Sequence, residues 1–148
     1  MASDPNDAQR NEAVLREFIE RVWNAGSLDA VDDFLASEYT IARDPGDPWE
    51  GKTLSPDEFR FRLASSRAPF PDLSFTLEEV LAADDRVAVS WTIRGTHTAA
   101  MGDVEPTGRS IELAGMTIYS FRNGRITGHR QVVDRLAVLQ QLGLLGGP

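Results

Sequence analysis

The sequence predicts an α+β domain in which helices lie on one face of a curved antiparallel sheet and enclose a deep apolar pocket. Two observations carry this. Apolar residues recur at a spacing near 3.6 in the first part of the chain, and the period changes to 2 from Asp72 onward. Helices first and a meander of strands afterwards place three helices and a short C-terminal one against a single sheet. At 148 residues the chain is expected to be one domain over 1–148, with a polar tail over about 1–10 and a flexible end at 146–148.

The elements follow in order. Val14, Leu15, Phe18, Ile19, Val22 and Trp23 make one face of a helix from about Asn11 to Asn24, and Arg16, Glu17, Glu20 and Arg21 fill the other. Gly26 is placed to end it. Ser27 can cap a second, shorter helix whose apolar side is Leu28, Val31, Phe34 and Leu35. A brief extended piece, Tyr39 to Ala42, leads into the loop DPGDPWEG. Ser55-Pro56-Asp57-Glu58 is a capping box with proline at the first helical position, and it opens a third helix reaching about Arg67.

Leu73, Phe75 and Leu77 then alternate with polar residues, as do Val87, Val89, Trp91 and Ile93 beyond the turn at Ala83-Asp84-Asp85, so the two strands form a hairpin. Thr98 to Gly108 reads as a loop. A third long strand runs from about Arg109 to Phe121, and a slip in its apolar phase near Ala114-Gly115 suggests a bulge. Asn123-Gly124 is a strong hairpin signal before the last strand, Arg125 to Val133. Asp134 starts a closing helix with Leu136, Leu139 and Leu142 inward, and Gly143 ends it.

Composition narrows the chemistry. Cysteine is absent, which removes disulfides, thiolate metal sites and cysteine nucleophiles together. The formal charge is −8, with Lys52 the only lysine and the arginines scattered, so a phosphate backbone would be repelled and nucleic acid is not an expected partner. No apolar run is long enough to span a membrane and no signal peptide is evident, which leaves a cytoplasmic location as the expectation. Two histidines on separate strands lack metal-ligand spacing, and neither a glycine-rich phosphate cradle nor a GxSxG elbow is present; no metal and no cofactor are expected.

The segments FIERVWNAGSLDAVDDFL and RVAVSWTIRGTHTAAMGDVEPTGRSIELAGMTIYSFRNGRITGHRQVVDRLAVLQQLG resemble the SnoaL-like polyketide cyclases, also described as ester cyclases, of the nuclear transport factor two-like superfamily. The likeness covers about Asn11 to Leu145, and RGTHT, PTGR, the NGRI turn and the DRLAVLQQLG ending are its most specific pieces. It implies a cone of bent sheet and helices, commonly dimeric, that closes a ring by intramolecular aldol condensation without metal or cofactor. It further implies an acid/base aspartate on the last strand, two residues beyond a histidine or aromatic position. Here those positions hold His129 and Gln131, and glutamine takes up no proton at neutral pH.

Such chemistry needs a base, a donor for the enolate oxygen and an apolar wall. His129, Gln131 and His97 fall at the pocket-facing phase of their strands if Trp91, Ile93 and Val133 mark that phase, and His129 and Gln131 point the same way. One histidine could act as base while the other, Gln131 or Tyr119 donates to an oxyanion; the plainer alternative is a half-exposed His97 and a His129 that fills the sheet surface. Asp134 is a helix N-cap whose carboxylate could also face the pocket mouth. Trp23, Trp49, Trp91, Tyr119, Val133 and Phe59 are the expected substrate wall. Arg94 should face solvent, and Asp44, Asp47 and Glu50 read as solvated loop charges. Three functions compete: a cofactor-independent cyclase or isomerase acting on a small hydrophobic carbonyl or ring substrate, a noncatalytic binder with the same pocket, and an epoxide hydrolase. The last needs two carboxylates bridged by an arginine, a triad that strand phase does not supply.

Overall fold

The first apolar stripe folds as α1 (Pro5–Phe18) and continues through a wider, π-helical turn over Ile19–Asn24, closed by the Ala25 amide on the Glu20 carbonyl at 2.9 Å. A computed structural model, the structure describes residues 5–145, so the expected flexible end at 146–148 lies outside the described residues. Residues 5–10, expected in a polar tail, belong to α1. Leu15, Phe18 and Val22 have no exposure, and Trp23 is buried on the π-helical turn. Burying each such side chain contributes about 1.5–3 kcal/mol. Phe18 meets Phe34 and Tyr119 edge-on at 5.8 and 6.0 Å, joining helix to sheet.

Ser27 accepts from the Ala30 amide at 3.2 Å, and α2 (Val31–Phe34) is one turn long. Extended chain begins earlier than expected: β1 spans Leu35–Arg43 and pairs with a two-residue strand, β2 (Thr53–Leu54), that hydrophobic patterning does not reveal. The capping box forms as read, with Glu58 N–H on Ser55 Oγ at 3.2 Å and Ser55 N–H on Glu58 Oε1 at 3.0 Å, and it opens α3 (Pro56–Arg67). The buried face of α3 is Phe59, Arg62 and Leu63, so a guanidinium sits in the apolar stripe.

The hairpin β3 (Ser74–Ala83) and β4 (Arg86–Thr96), then β5 (Ser110–Arg122) and β6 (Arg125–Val133), complete a six-stranded sheet of order β2-β1-β6-β5-β4-β3. Asn123 and Gly124 both take positive φ, 52° and 76°, as a tight hairpin of this twist requires. One expectation is corrected here: β1 runs parallel to β6, so the sheet is mixed rather than wholly antiparallel. Nor is there a bulge at Ala114-Gly115. The β4–β5 register is unbroken there, and Ile111, Leu113, Gly115, Thr117, Tyr119 and Phe121 form one continuous inner phase. The apparent slip arises because Gly115 and Thr117 face inward while Met116 and Ile118 face out. The closing helix, α4 (Arg135–Gln141), buries none of its residues; Leu136 and Leu139 are exposed, and only Leu142 beyond it is buried.

Candidate active site

Helices and sheet enclose a cavity of about 180 Å³ with two unlike walls. Trp23, Phe70, Phe75, Trp91, Ile93 and Leu113 make an apolar one. Tyr119, His129, Gln131, Arg62, Asp47 and Arg135 bring polar groups from β5, β6, α3, the loop after β1, and α4. Tyr39, Ser66 and Val133 also reach the cavity.

Behind the polar wall lies Asp44, fully buried. Its Oδ2 receives His129 Nε2 at 2.9 Å, Gln131 Nε2 at 2.8 Å and Arg62 Nη2 at 3.3 Å, while Oδ1 receives Arg135 Nη2 at 2.7 Å. Directionality fixes each proton. Trp91 Nε1 can only donate, and it donates to Thr117 Oγ1 at 2.8 Å. The Thr117 hydroxyl is therefore free to donate to Gln131 Oε1 at 2.9 Å, which turns the Gln131 NH₂ toward Asp44. Tyr39 lies 2.5 Å from His129 Nδ1. Burial raises the Tyr39 hydroxyl well above its ordinary range, so it stays protonated and donates. His129 is thus the neutral Nε2–H tautomer with both ring nitrogens engaged.

Burial and the neighbouring charges act in the same sense. Burial lowers His129, and the hydrogen bond to Asp44 opposes it only in part. For Asp44, burial acts upward, but the His129 hydrogen bond and the charges around it, with Arg62 and Arg135 among them, prevail and leave it below its ordinary range. Burial also raises Tyr119, against the pull of the Arg62 charge.

Asp47 is the carboxylate at the cavity surface. Its Oδ1 accepts from the Trp49 amide at 2.7 Å, and its Oδ2 lies 3.3 Å from Arg62 Nη2 and 3.9 Å from Arg135 Nη2. Arg62 Nη2 therefore bridges two aspartates, the arrangement strand phase could not supply. The reading of Asp44 and Asp47 as solvated loop charges is corrected on both counts. Glu50 stays exposed, as read, while its carboxylate accepts from the Asp44 amide at 2.7 Å.

The sequence-predicted residues divide by position. His129 and Gln131 share the inner phase of β6 and line the cavity with Trp23, Trp91, Tyr119 and Val133. His97 does not join them: fully buried, it accepts the Thr107 amide on Nδ1 at 3.1 Å and packs 5.5 Å from Phe70. Asp134 is outside the cavity as well and caps α4 by accepting from Ala137 N–H at 3.1 Å. Phe59 is core, with its ring 5.0 Å from Tyr39. Trp49 packs outside the cavity, 6.1 Å from Phe61 and 5.2 Å from Lys52 Nζ. Arg94 faces outward onto Glu112 at 3.1 Å. Among the described residues no group of three or more His, Cys, Asp and Glu could hold a metal ion, and no helix is long and apolar enough to cross a membrane.

Residues 13–142 match the family described as SnoaL-like polyketide cyclase. Among solved structures, a candidate polyketide cyclase from Acidithiobacillus ferrooxidans is 37% identical, with 93% of this chain and 96% of that one covered and a TM-score of 0.87. IdmH, a candidate polyketide cyclase from Streptomyces antibioticus, is 28% identical over 90% of this chain and 98% of its own, with a TM-score of 0.77. A SnoaL-like candidate from Jannaschia, 17% identical over 99% of both chains, shares the fold at a TM-score of 0.83. No curated protein matches the chain.

Proposed function

The chain belongs to the SnoaL-like polyketide cyclase family, which supports a cyclase- or isomerase-like role, and from that premise we propose proton transfer at a carbon next to a carbonyl, without a cofactor, on a small apolar substrate held in the cone cavity. The observation that carries this reading is the pairing, on one polar wall, of a carboxylate that lines the cavity with a hydroxyl that no described protein group occupies. Asp47 is the proton acceptor. Tyr119, kept protonated by burial and free of any hydrogen bond among the described residues, donates to the oxygen on which negative charge develops. Asp44 is a positioning residue. It stands 2.8 Å from the glutamine at the position where the family resemblance places an acid, and it holds Arg62, Arg135 and neutral His129 in place.

The test follows an enolisable aromatic 1,3-diketone in deuterated water by NMR. Wild type should accelerate deuterium entry at the carbon between the carbonyls, and Asp47→Asn should slow it by about 100-fold or more, the lower end of what a positioned acid/base group supplies. Binding without acceleration would instead support a noncatalytic binder. A second reading has one observation in its favour. Arg62 Nη2 lies 3.3 Å from both Asp44 and Asp47, an arginine-bridged carboxylate pair able to hold water against an epoxide; diol formation from a terpenoid epoxide would favour it.

We also infer that two copies associate through the outer sheet face, where Leu81, Met116, Ile118 and Val132 lie exposed around an open apolar hollow.

A further inference from the structure

Arg62 has more hydrogen-bonding capacity than the protein uses. Its Nη2 serves Asp44 and Asp47, its Nη1 serves no protein atom among the described residues, and its Nε is buried without a partner. The residue is 4% exposed and lines the cavity, and because Nε has no accessible surface, Nη1 is the donor that a molecule in the cavity reaches. Unmet donors on a buried cation are costly, and a ligand acceptor relieves that cost.

The rest of the wall is biased the same way. The buried Asp44 carboxylate is saturated by four side-chain donors. Asp47, the carboxylate that reaches the cavity, lies against both guanidiniums. Arg135 uses Nε on the Pro45 carbonyl and Nη2 on Asp44, which leaves its Nη1 uncommitted, and the Tyr119 hydroxyl is also unused. Unused donors of Arg62 and Tyr119 thus lie on the cavity wall beside one neutralised acceptor; the Arg62 guanidinium itself sits over the Trp23 ring, 5.8 Å from its centroid, and Phe75 and Trp91 add further flat aromatic surface.

We propose that the cavity takes a planar unsaturated carboxylic acid, its ring against Phe75 and Trp91 and its carboxylate on Arg62. This rests on the cavity being the site of proton transfer and names its substrate class: an acid bearing a second, enolisable carbonyl, anchored so that the reactive carbon lies toward Asp47.

Calorimetric titration of the full chain at pH 7 with 2-naphthoate, 2-naphthamide and 2-naphthylmethylammonium tests it. Naphthoate should bind at least tenfold more tightly than the amide, and the ammonium should not bind. In Arg62→Met the preference for naphthoate should vanish. Because that variant strips a partner from Asp44 and could unfold, Asp47→Asn is a second arm. It keeps Arg62, removes a neighbouring negative charge, and should tighten naphthoate. Equal or tighter binding of the amide, a naphthoate preference that survives in folded Arg62→Met, weaker naphthoate binding in Asp47→Asn, or no binding of any probe would each overturn the proposal. Deuterium exchange is read separately, so an intact naphthoate preference without exchange overturns only the catalytic reading.

Discussion

A methyl group has no room at position 115. A Cβ there would lie 2.3 Å from Trp91 Cζ2 and 2.9 Å from the Val132 carbonyl oxygen, so the indole that forms part of the cavity wall depends on a glycine across the β4–β5 ladder. Gly115→Ala should cost about 1–3 kcal/mol by overpacking, seen as a lower chemical-denaturation midpoint, and should displace Trp91, seen as a change in its fluorescence. Asp44 is the other residue whose surroundings leave no slack. Asp44→Ala removes the acceptor shared by His129, Gln131, Arg62 and Arg135 and leaves a buried guanidinium undercompensated, a loss on the order of 3–5 kcal/mol measurable by urea denaturation. Acid should act through the same group of residues in two steps. His129 is depressed in the folded state, so its contribution is complete above its ordinary value of 6.5 and is lost as pH falls from there through the folded value. Asp44, also depressed, contributes above its ordinary value of 3.8 and loses that contribution as pH drops through its lower folded value. The thermal midpoint of wild type should therefore decline below about pH 6.5, and His129→Gln should flatten that first decline.

Among the elements, β1 explains why the polar wall is hard to foresee. Tyr39 and Ile41 point inward, and strict alternation would send Arg43 inward next. Instead the pairing with β6 slips between Ile41, opposite His129, and Arg43, opposite Arg130, and Asp44 takes the inward place. A slip of this kind reverses which face a side chain occupies and leaves no trace in composition, so proline and glycine around Asp44 and Asp47 read only as loop. Arg62 did leave a signal. It lies three residues after Phe59 and one before Leu63, on the buried stripe of α3, where a charged group needs a partner. The hairpins, the capping box and the shared phase of His129 and Gln131 were legible because each is local: a turn dipeptide, a four-residue motif, a period of 2. The parallel β1–β6 pairing and the separation of His97 from the cavity depend on long-range register, and of the three leucines at helical spacing only Leu142 is buried, because α4 is a surface helix fastened by Arg135 and by Gln141, which bonds the backbone of Glu112 at 2.6 and 2.7 Å.

For the whole molecule, the sheet has a concave face closed by helices and an outer face with exposed Leu81, Met116 and Val132, each more than 60% accessible. A homodimer through that face should give twice the chain mass in light scattering, and Met116→Lys combined with Val132→Glu should return the chain mass without loss of helical signal; a wild-type protein of single chain mass would remove the dimer from the account. The cavity on the other face joins an apolar wall, a protonated Tyr119 and the Asp47 carboxylate in one space. The most direct measurement is a crystal structure with a bound, enolisable aromatic 1,3-diketone. The carbon between the two carbonyls should lie within about 3.5 Å of an Asp47 carboxylate oxygen, with one carbonyl oxygen on the Tyr119 hydroxyl. A diketone bound outside the cavity, or inside it with that carbon turned away from Asp47 toward the tryptophans, would contradict Asp47 as the proton acceptor.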